Sequence, residues 1–391
     1  MGSHSRVHYM DNLRAFAMLL GVFFHAALAY SPSLNQVWLT ASPENSVIID
    51  FVAFFSHSFR MPLFFLIAGF FAALLIQKIG LSGIIKNRLL RITLPFAIFL
   101  PLVMTAFAIL IGWAMGSVQA KSPMLEMIVM MAQYPDAPQP PITTTHLWFL
   151  YQLTFFYILT TIAVKWLNFD WMRHIIKAPR LFLLFAPLLL LPALITQHAP
   201  IPAPEQFVPQ LWSFGFFGLF FLFGYGLFSY QQFLEQLRPY VWLMFVISVT
   251  AYILFFEMFP RHSSMQEIMT VMSVSPTIAF KQVALATLQA YISVFMSMTL
   301  LIIGRSVWHK QNTSMRLIAD SSYWTYIIHL PVLWLIQFYL LDTEWPLLVE
   351  FLISSFGTLI IGLVSYLVLV KHTPIGWLLN GKKTTKSDTS Q

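Results

Sequence analysis

The chain contains no cysteine, which excludes disulfides, thiolate metal sites and a cysteine nucleophile. It also has little charge of either sign: only 9% of its 391 residues are Asp, Glu, Lys or Arg. A soluble domain carries about 25%, so a water-exposed globular surface is excluded. The motifs G-x-S-x-G, H-E-x-x-H, the P-loop and G-x-G-x-x-G are all absent, as is a His-x4-Asp pair. Serine-hydrolase elbows, zinc-peptidase helices and nucleotide fingerprints are thereby set aside. No metal-ligand set is read. What the chain has instead is apolar sequence: 58% hydrophobic residues, 38 Phe, 12 Trp and a mean hydropathy of +0.73.

Apolar runs long enough to cross a bilayer recur from end to end, which defines a polytopic membrane protein. Ten spans are expected, at about 13–31, 47–76, 92–115, 146–166, 181–198, 210–230, 240–259, 281–304, 322–341 and 347–370. The fold class is thus an all-α integral membrane protein of about ten transmembrane helices. No internal repeat stands out. The organisation is a cytoplasmic N-terminus (1–12), one membrane domain (13–370) and a cytoplasmic basic tail (371–391).

The net charge of +7 does not point to nucleic acid, because the basic residues sit in short connections. With the N-terminus inside, eighteen of 22 Lys and Arg residues fall in cytoplasmic segments and three in outer ones. That asymmetry orients the chain N-in and C-in. Arg60 lies within a span. The first helix is read as retained rather than as a signal peptide, because His25 interrupts its apolar core. Residues 1–5 read as an expression scar. The Lys-rich tail, with Lys382, Lys383 and Lys386, is expected to be solvated and to face lipid headgroups. Outer Pro-rich stretches at 116–145 and 198–204 cannot be continuous helix. They are read either as the mouth of an external site or as plain connectors.

Five constellations carry chemistry. The first is Arg14 and His25 in the opening span. Their spacing of eleven residues is about three turns, so they share a helix face some ~16 Å apart along the axis. An ionisable group near mid-membrane marks a functional site by default, and an imidazole there suits proton transfer at ambient pH. The competing reading is a histidine satisfied by a neighbouring helix. The second is Arg88 and Arg91, spaced i, i+3, whose paired guanidinium groups suit phosphate oxygens. They also suit simple anchoring by the positive-inside rule. The third is His57 and Arg60 ahead of Pro62 and Gly69, where the helix is expected to be disturbed, either around a ligand or as a structural bend.

The fourth is His146 and Trp148, at the outer start of a span, a site candidate or an interfacial aromatic anchor. The fifth is Ser322, Tyr323, Tyr326 and His329. Tyr326 and His329 share a face, and His329 needs a partner inside the bundle, whether for packing or for chemistry. Gly112 and Gly116 form a small-xxx-small pattern, a common helix-packing signal.

The ordered set resembles the membrane-bound acyltransferase family 3. It comprises Arg14 with His25, His-Ser-Phe-Arg-Met (57–61) leading to Phe-Phe-Leu-Ile-Ala-Gly (64–69), Arg88 with Arg91, His-Leu-Trp-Phe-Leu (146–150) and the Ser322 to Pro331 stretch. The resemblance covers nearly the whole chain. One departure is Ala68, where many members carry Ser.

The resemblance implies an inner-membrane enzyme that moves an acyl group from a cytoplasmic donor to an extracytoplasmic acceptor. Arg14 and His25 take the family's Arg-x10-His positions, and Arg88 and Arg91 its Arg-x-x-Arg positions. It further implies acyl-CoA (succinyl- or acetyl-CoA) as donor substrate, with no permanently bound cofactor. The opening stretch 11–31, the His57 segment and the closing Leu-Leu-Asn-Gly-Lys (378–382) resemble members that succinylate osmoregulated periplasmic glucans. The alternatives are O-acetylation of another envelope polysaccharide or lipid, and a proton-coupled transporter using His25. An oligomer is compatible with the sequence.

Overall fold

The computed structural model of the chain describes residues 8–134, 136, 141–164, 166, 170–260, 264–308 and 313–381. Pro135, Pro138 and Pro140, the basic residues Arg6, Lys165, Arg261 and Lys310, and the tail lysines Lys382, Lys383 and Lys386 lie outside them. The described residues form helices joined by turns and loops, without a strand. The reason is solvation: in hydrocarbon every backbone N–H and C=O must be satisfied within the segment, and a helix does that alone.

In chain order the helices are α1 (His8–Ala27), α2 (Val47–Arg88), α3 (Leu94–Ser117), α4 (Pro123–Met131), α5 (Trp148–Ala163), α6 (Trp171–Lys177), α7 (Pro179–Phe185) and α8 (Leu191–Leu194). There follow α9 (Leu211–Ser229), α10 (Gln232–Leu237), α11 (Val241–Met258), α12 (Met265–Met272), α13 (Phe280–Val307), α14 (Thr313–Leu340), α15 (Leu347–Ser365) and α16 (Pro374–Asn380). Among the described residues, seven helical stretches are long and apolar enough to cross a membrane, and one of them, Val47–Ser117, contains both α2 and α3. Each of the ten apolar runs coincides with helix. The run at 181–198 is broken into short pieces, because Pro187 and Pro192 each remove a backbone donor.

α2 is the centre of the packing, with α1, α5, α9 and α13 against it, while α1 also touches α14 and α15. Pro62 and Gly69 were expected to disturb α2, yet the backbone stays helical through both. The one departure is Gly80, at φ 70°. Gly69 has a different use. A Cβ there would sit 1.9 Å from the carbonyl oxygen of Phe221, and one on Gly224 would sit 1.9 Å from that of Leu66. The two glycines let α2 and α9 cross backbone to backbone, which suits a bilayer, where close packing rather than water exclusion holds helices together. Gly112 and Gly116 meet nothing within 4 Å, so the pattern on α3 makes no such contact.

Two five-residue π-helical turns follow long helices: Leu89–Thr93 after α2 and Tyr366–Val370 after α15. Arg88 therefore closes α2 while Arg91 sits on a wider turn, rather than both sharing one regular helix face as the spacing suggested. π-turns of this kind are frequent at functional sites. Of the segment expected as a solvated tail, Pro374–Asn380 forms α16 and buries Gly376 and Leu379.

Candidate active site

A cavity of about 730 Å³ runs through the bundle beside α1. All twelve residues singled out from the sequence line it: Arg14, His25, His57, Arg60, Arg88, Arg91, His146, Trp148, Ser322, Tyr323, Tyr326 and His329. They come from α1, α2 and its π-turn, the start of α5, and α14.

One end of the cavity is cationic. Arg14, Lys78, Arg88 and Arg91 line it, with Asp11 and Asp320 among them. Arg14 reaches Asp11 at 3.5 Å and stays 42% exposed. Arg88 lies over the ring of Tyr157 at 4.9 Å, a cation–π contact, and its buried Nε has no hydrogen-bond partner. The π-turn carrying Arg91 is fixed by the Tyr323 hydroxyl, which donates to the Arg91 carbonyl at 2.8 Å. α16 closes under this end. Asn380 lines the cavity and donates to the Asp320 carbonyl at 2.8 Å. Gly381, at φ 81°, lies so near Arg91 that a Cβ would fall 1.9 Å from Nη2.

The other end holds four histidines. His57 donates from Nε2 to the Ile201 carbonyl at 2.9 Å, and His146 from Nε2 to that of Ile327 at 3.0 Å. His329 donates from Nδ1 to the Tyr326 carbonyl at 2.7 Å. A carbonyl oxygen only accepts, so these bonds fix the tautomer of each ring. The Tyr326 hydroxyl donates in turn to the His146 carbonyl at 2.7 Å. Before His146 the chain turns sharply into α5 through Thr145, whose φ of 49° is uncommon for a β-branched residue.

His25 differs from the other three. It lies in the last turn of α1, beneath the 31–46 loop, with His329 at 5.2 Å and Trp38 at 6.2 Å between ring centres. It makes no hydrogen bond among the described residues. Its Nδ1 is buried without a partner, which leaves Nε2 as the nitrogen a substrate can reach.

Arg60 sits one turn below His25. It is 4% exposed, donates to the Leu20 carbonyl at 3.4 Å and lies 4.5 Å above the Phe24 ring. Gly21 makes room for it, since a Cβ there would meet the Arg60 Nε at 3.9 Å. No carboxylate partner is present among the described residues. A guanidinium held this way in a nonaqueous bundle calls for an anion or water. Ser322 lines the cavity with its hydroxyl already donated back to the Ala319 carbonyl at 2.8 Å.

Sequence reasoning missed several lining residues. Asn380 lies in the 378–382 stretch, but nothing in that stretch signals that α16 folds back. Lys78 reads as an ordinary cytoplasmic-loop cation and Tyr157 as an ordinary span residue. Glu205 follows a Pro-rich connector and carries no motif.

Arginines at one end, an unbonded imidazole at the other and an apolar wall between them suit an extended substrate with an anionic head and a reactive tail. The acyltransferase-domain family model matches residues 7–367. Among curated proteins, glucans biosynthesis protein C of Escherichia coli K12 is 31% identical over 159 residues. That stretch is 41% of this chain and 38% of the relative. The proteins of that name in E. coli O6:K15:H31 (strain 536) and O139:H28 (strain E24377A) match to the same extent. The chain thus aligns with well under half of the length of these relatives. No solved structure matches.

Proposed function

The chain belongs to this acyltransferase family and is a membrane acyltransferase; from that premise we propose that it moves a succinyl group from cytoplasmic acyl-CoA to hydroxyls of a periplasmic glucan in the inner membrane. The observation that carries the reading is His25: of four histidines lining the cavity, it alone has no hydrogen-bond partner among the described residues. The other three rings are each anchored through one nitrogen, whereas His25 is held through neither, and we read it as the base.

The donor enters at the cationic end. Arg88 and Arg91, with Arg14 beside them, take its phosphates, and paired guanidinium forks match phosphate oxygens. The acyl end of the arm extends along the face of α1 that carries Arg14, Met18, Gly21 and His25. A hydroxyl of the acceptor gives its proton to His25 Nε2, and its oxygen attacks the thioester carbonyl. The carbon–sulfur bond then breaks, and the CoA thiolate leaves with the proton returned by the imidazolium. Preorganised cations near the carbonyl stabilise the charge that forms there.

Arg60 favours a succinyl over an acetyl donor. It is a buried cation without an acid beside it among the described residues, one turn from the base, where the free carboxylate of a succinyl chain pairs with it. The relatives named for glucan biosynthesis support a glucan as acceptor.

The test is transfer of labelled succinyl from succinyl-CoA to glucan by the purified protein in liposomes. A general base contributes about 10²–10⁴-fold, so His25→Gln should lose that factor in kcat while keeping the melting temperature. A His25→Gln enzyme turning over at the wild-type rate would overturn the mechanism.

A further inference from the structure

We infer that Glu205 is the acceptor-binding group of this site, its carboxylate accepting hydrogen bonds from two neighbouring hydroxyls of a neutral polyol; this rests on the acyl-transfer reading. The residue lies in the connection between α8 and α9, downstream of the Pro-rich stretch, and lines the same cavity as His25.

Its position is fixed from several sides. Ile201, four residues earlier, accepts from His57, and Ala203 lines the cavity. The backbone N–H and the hydroxyl of Thr144 both donate to the Glu205 carbonyl, at 2.8 and 2.9 Å. Two residues on, the Tyr151 hydroxyl donates to the Phe207 carbonyl at 2.5 Å. The loop is thus bonded to His57 on one side and, through Thr144, to the segment leading into His146 on the other. Both histidines lie at the base end of the cavity.

While the backbone of Glu205 is tied down, its side chain is not: among the described residues the carboxylate has neither a hydrogen-bond nor an ion-pair partner. Burial pushes its carboxyl above the ordinary value. Glu205 is half-buried, and a carboxylate partly withdrawn from water without a partner keeps acceptor capacity that a ligand's donors can fill. An ionised carboxylate only accepts, through two oxygens, so a vicinal diol satisfies it with two O–H donors. It repels anions, which keeps phosphate-bearing donors from this end. The loop thereby selects what can present a hydroxyl to His25.

Glu205→Gln and Glu205→Ala are compared with wild type by varying acceptor and donor separately, with melting temperature alongside. The expected result is an acceptor KM raised about 10- to 100-fold, from the loss of hydrogen bonds to a charged group, with donor KM and melting temperature unmoved. Acceptor KM within twofold of wild type in both variants would overturn the assignment. So would donor and acceptor KM rising together with a lowered melting temperature, the signature of a loop that has merely loosened. Glucan binding, followed without donor by tryptophan fluorescence, separates this idea from the one beneath it. A wild type that binds glucan but transfers no succinyl, with binding lost in Glu205→Ala, removes the acyl-transfer reading and keeps Glu205. Transfer by wild type with binding intact in Glu205→Ala removes Glu205 alone.

Discussion

Replacing Arg60 by Gln should change which donor the enzyme prefers. The guanidinium is 4% exposed, and its contacts are a long hydrogen bond to the Leu20 carbonyl and the Phe24 ring. A succinyl carboxylate would be its first acidic partner among the described residues. Truncating one member of a buried, hydrogen-bonded charge pair costs about 2–5 kcal/mol. At about 1.4 kcal/mol per tenfold, kcat/KM for succinyl-CoA should fall by roughly 30- to 3,000-fold. Acetyl-CoA has no carboxylate to pair, so its kcat/KM should move only a few-fold. The assay is kcat/KM for the two donors on one acceptor, in wild type and Arg60→Gln. The ligand-free variant should melt no lower than wild type, because an uncompensated buried cation has been removed. Equal losses for both donors would refute the reasoning and place Arg60 on the thioester carbonyl, a feature the donors share.

Two glycines make further predictions. Gly69→Ala puts a methyl group 1.9 Å from the Phe221 carbonyl, and backbone cannot give way as a side chain can. Overpacking costs about 1–3 kcal/mol even where side chains adjust, so the melting temperature should fall by several degrees. An unchanged melt would show that the α2–α9 crossing is slack. Gly381→Val meets both a φ of 81° and the Arg91 guanidinium. It should displace that guanidinium and raise the donor KM several-fold at constant acceptor KM. Equal donor KM in variant and wild type would detach α16 from donor binding.

The sequence makes the site more legible than the packing. Charged and imidazole side chains are costly in hydrocarbon, and every residue flagged on that ground lines the cavity, although the buried acids Asp50 and Glu350, also inside apolar runs, carry no such flag and lie outside it. The geometry between them is a different matter. Gly69 reads as a helix breaker and acts as a crossing point, because a glycine's role depends on what approaches it, which lies far along the chain. Gly112 and Gly116 show the reverse, a packing pattern with no partner helix in place. The π-turn at Arg91 leaves no trace in residue spacing, since a one-residue widening keeps the apolar character of the run. Glu205 escaped notice because an acid in a connector is ordinary until the loop folds over a cavity.

On the proposed reading, the order of charges along the cavity also gives the reaction its direction. Four cations and two acids, Asp11 and Asp320, line one end, Arg60 and the histidines follow, and Glu205 stands beyond them. Two unit charges ~5 Å apart interact by about 3 kcal/mol at an effective dielectric of 20. A donor entering backwards would forfeit several such attractions at Arg14, Arg88 and Arg91 and meet repulsion at Glu205. A neutral polyol gains nothing at the arginines and finds its acceptor oxygens at the loop. On the proposed reading the two substrates are sorted by charge before any chemistry and meet at His25. A variant with Arg88 and Arg91 both changed to Gln should keep its acceptor KM and lose donor affinity steeply. That loss should shrink as salt is added to the wild type, because exposed attractions are screened over ~8 Å at physiological ionic strength. A donor KM for wild type that does not respond to salt would mean that the arginines anchor the bundle and do not bind the donor.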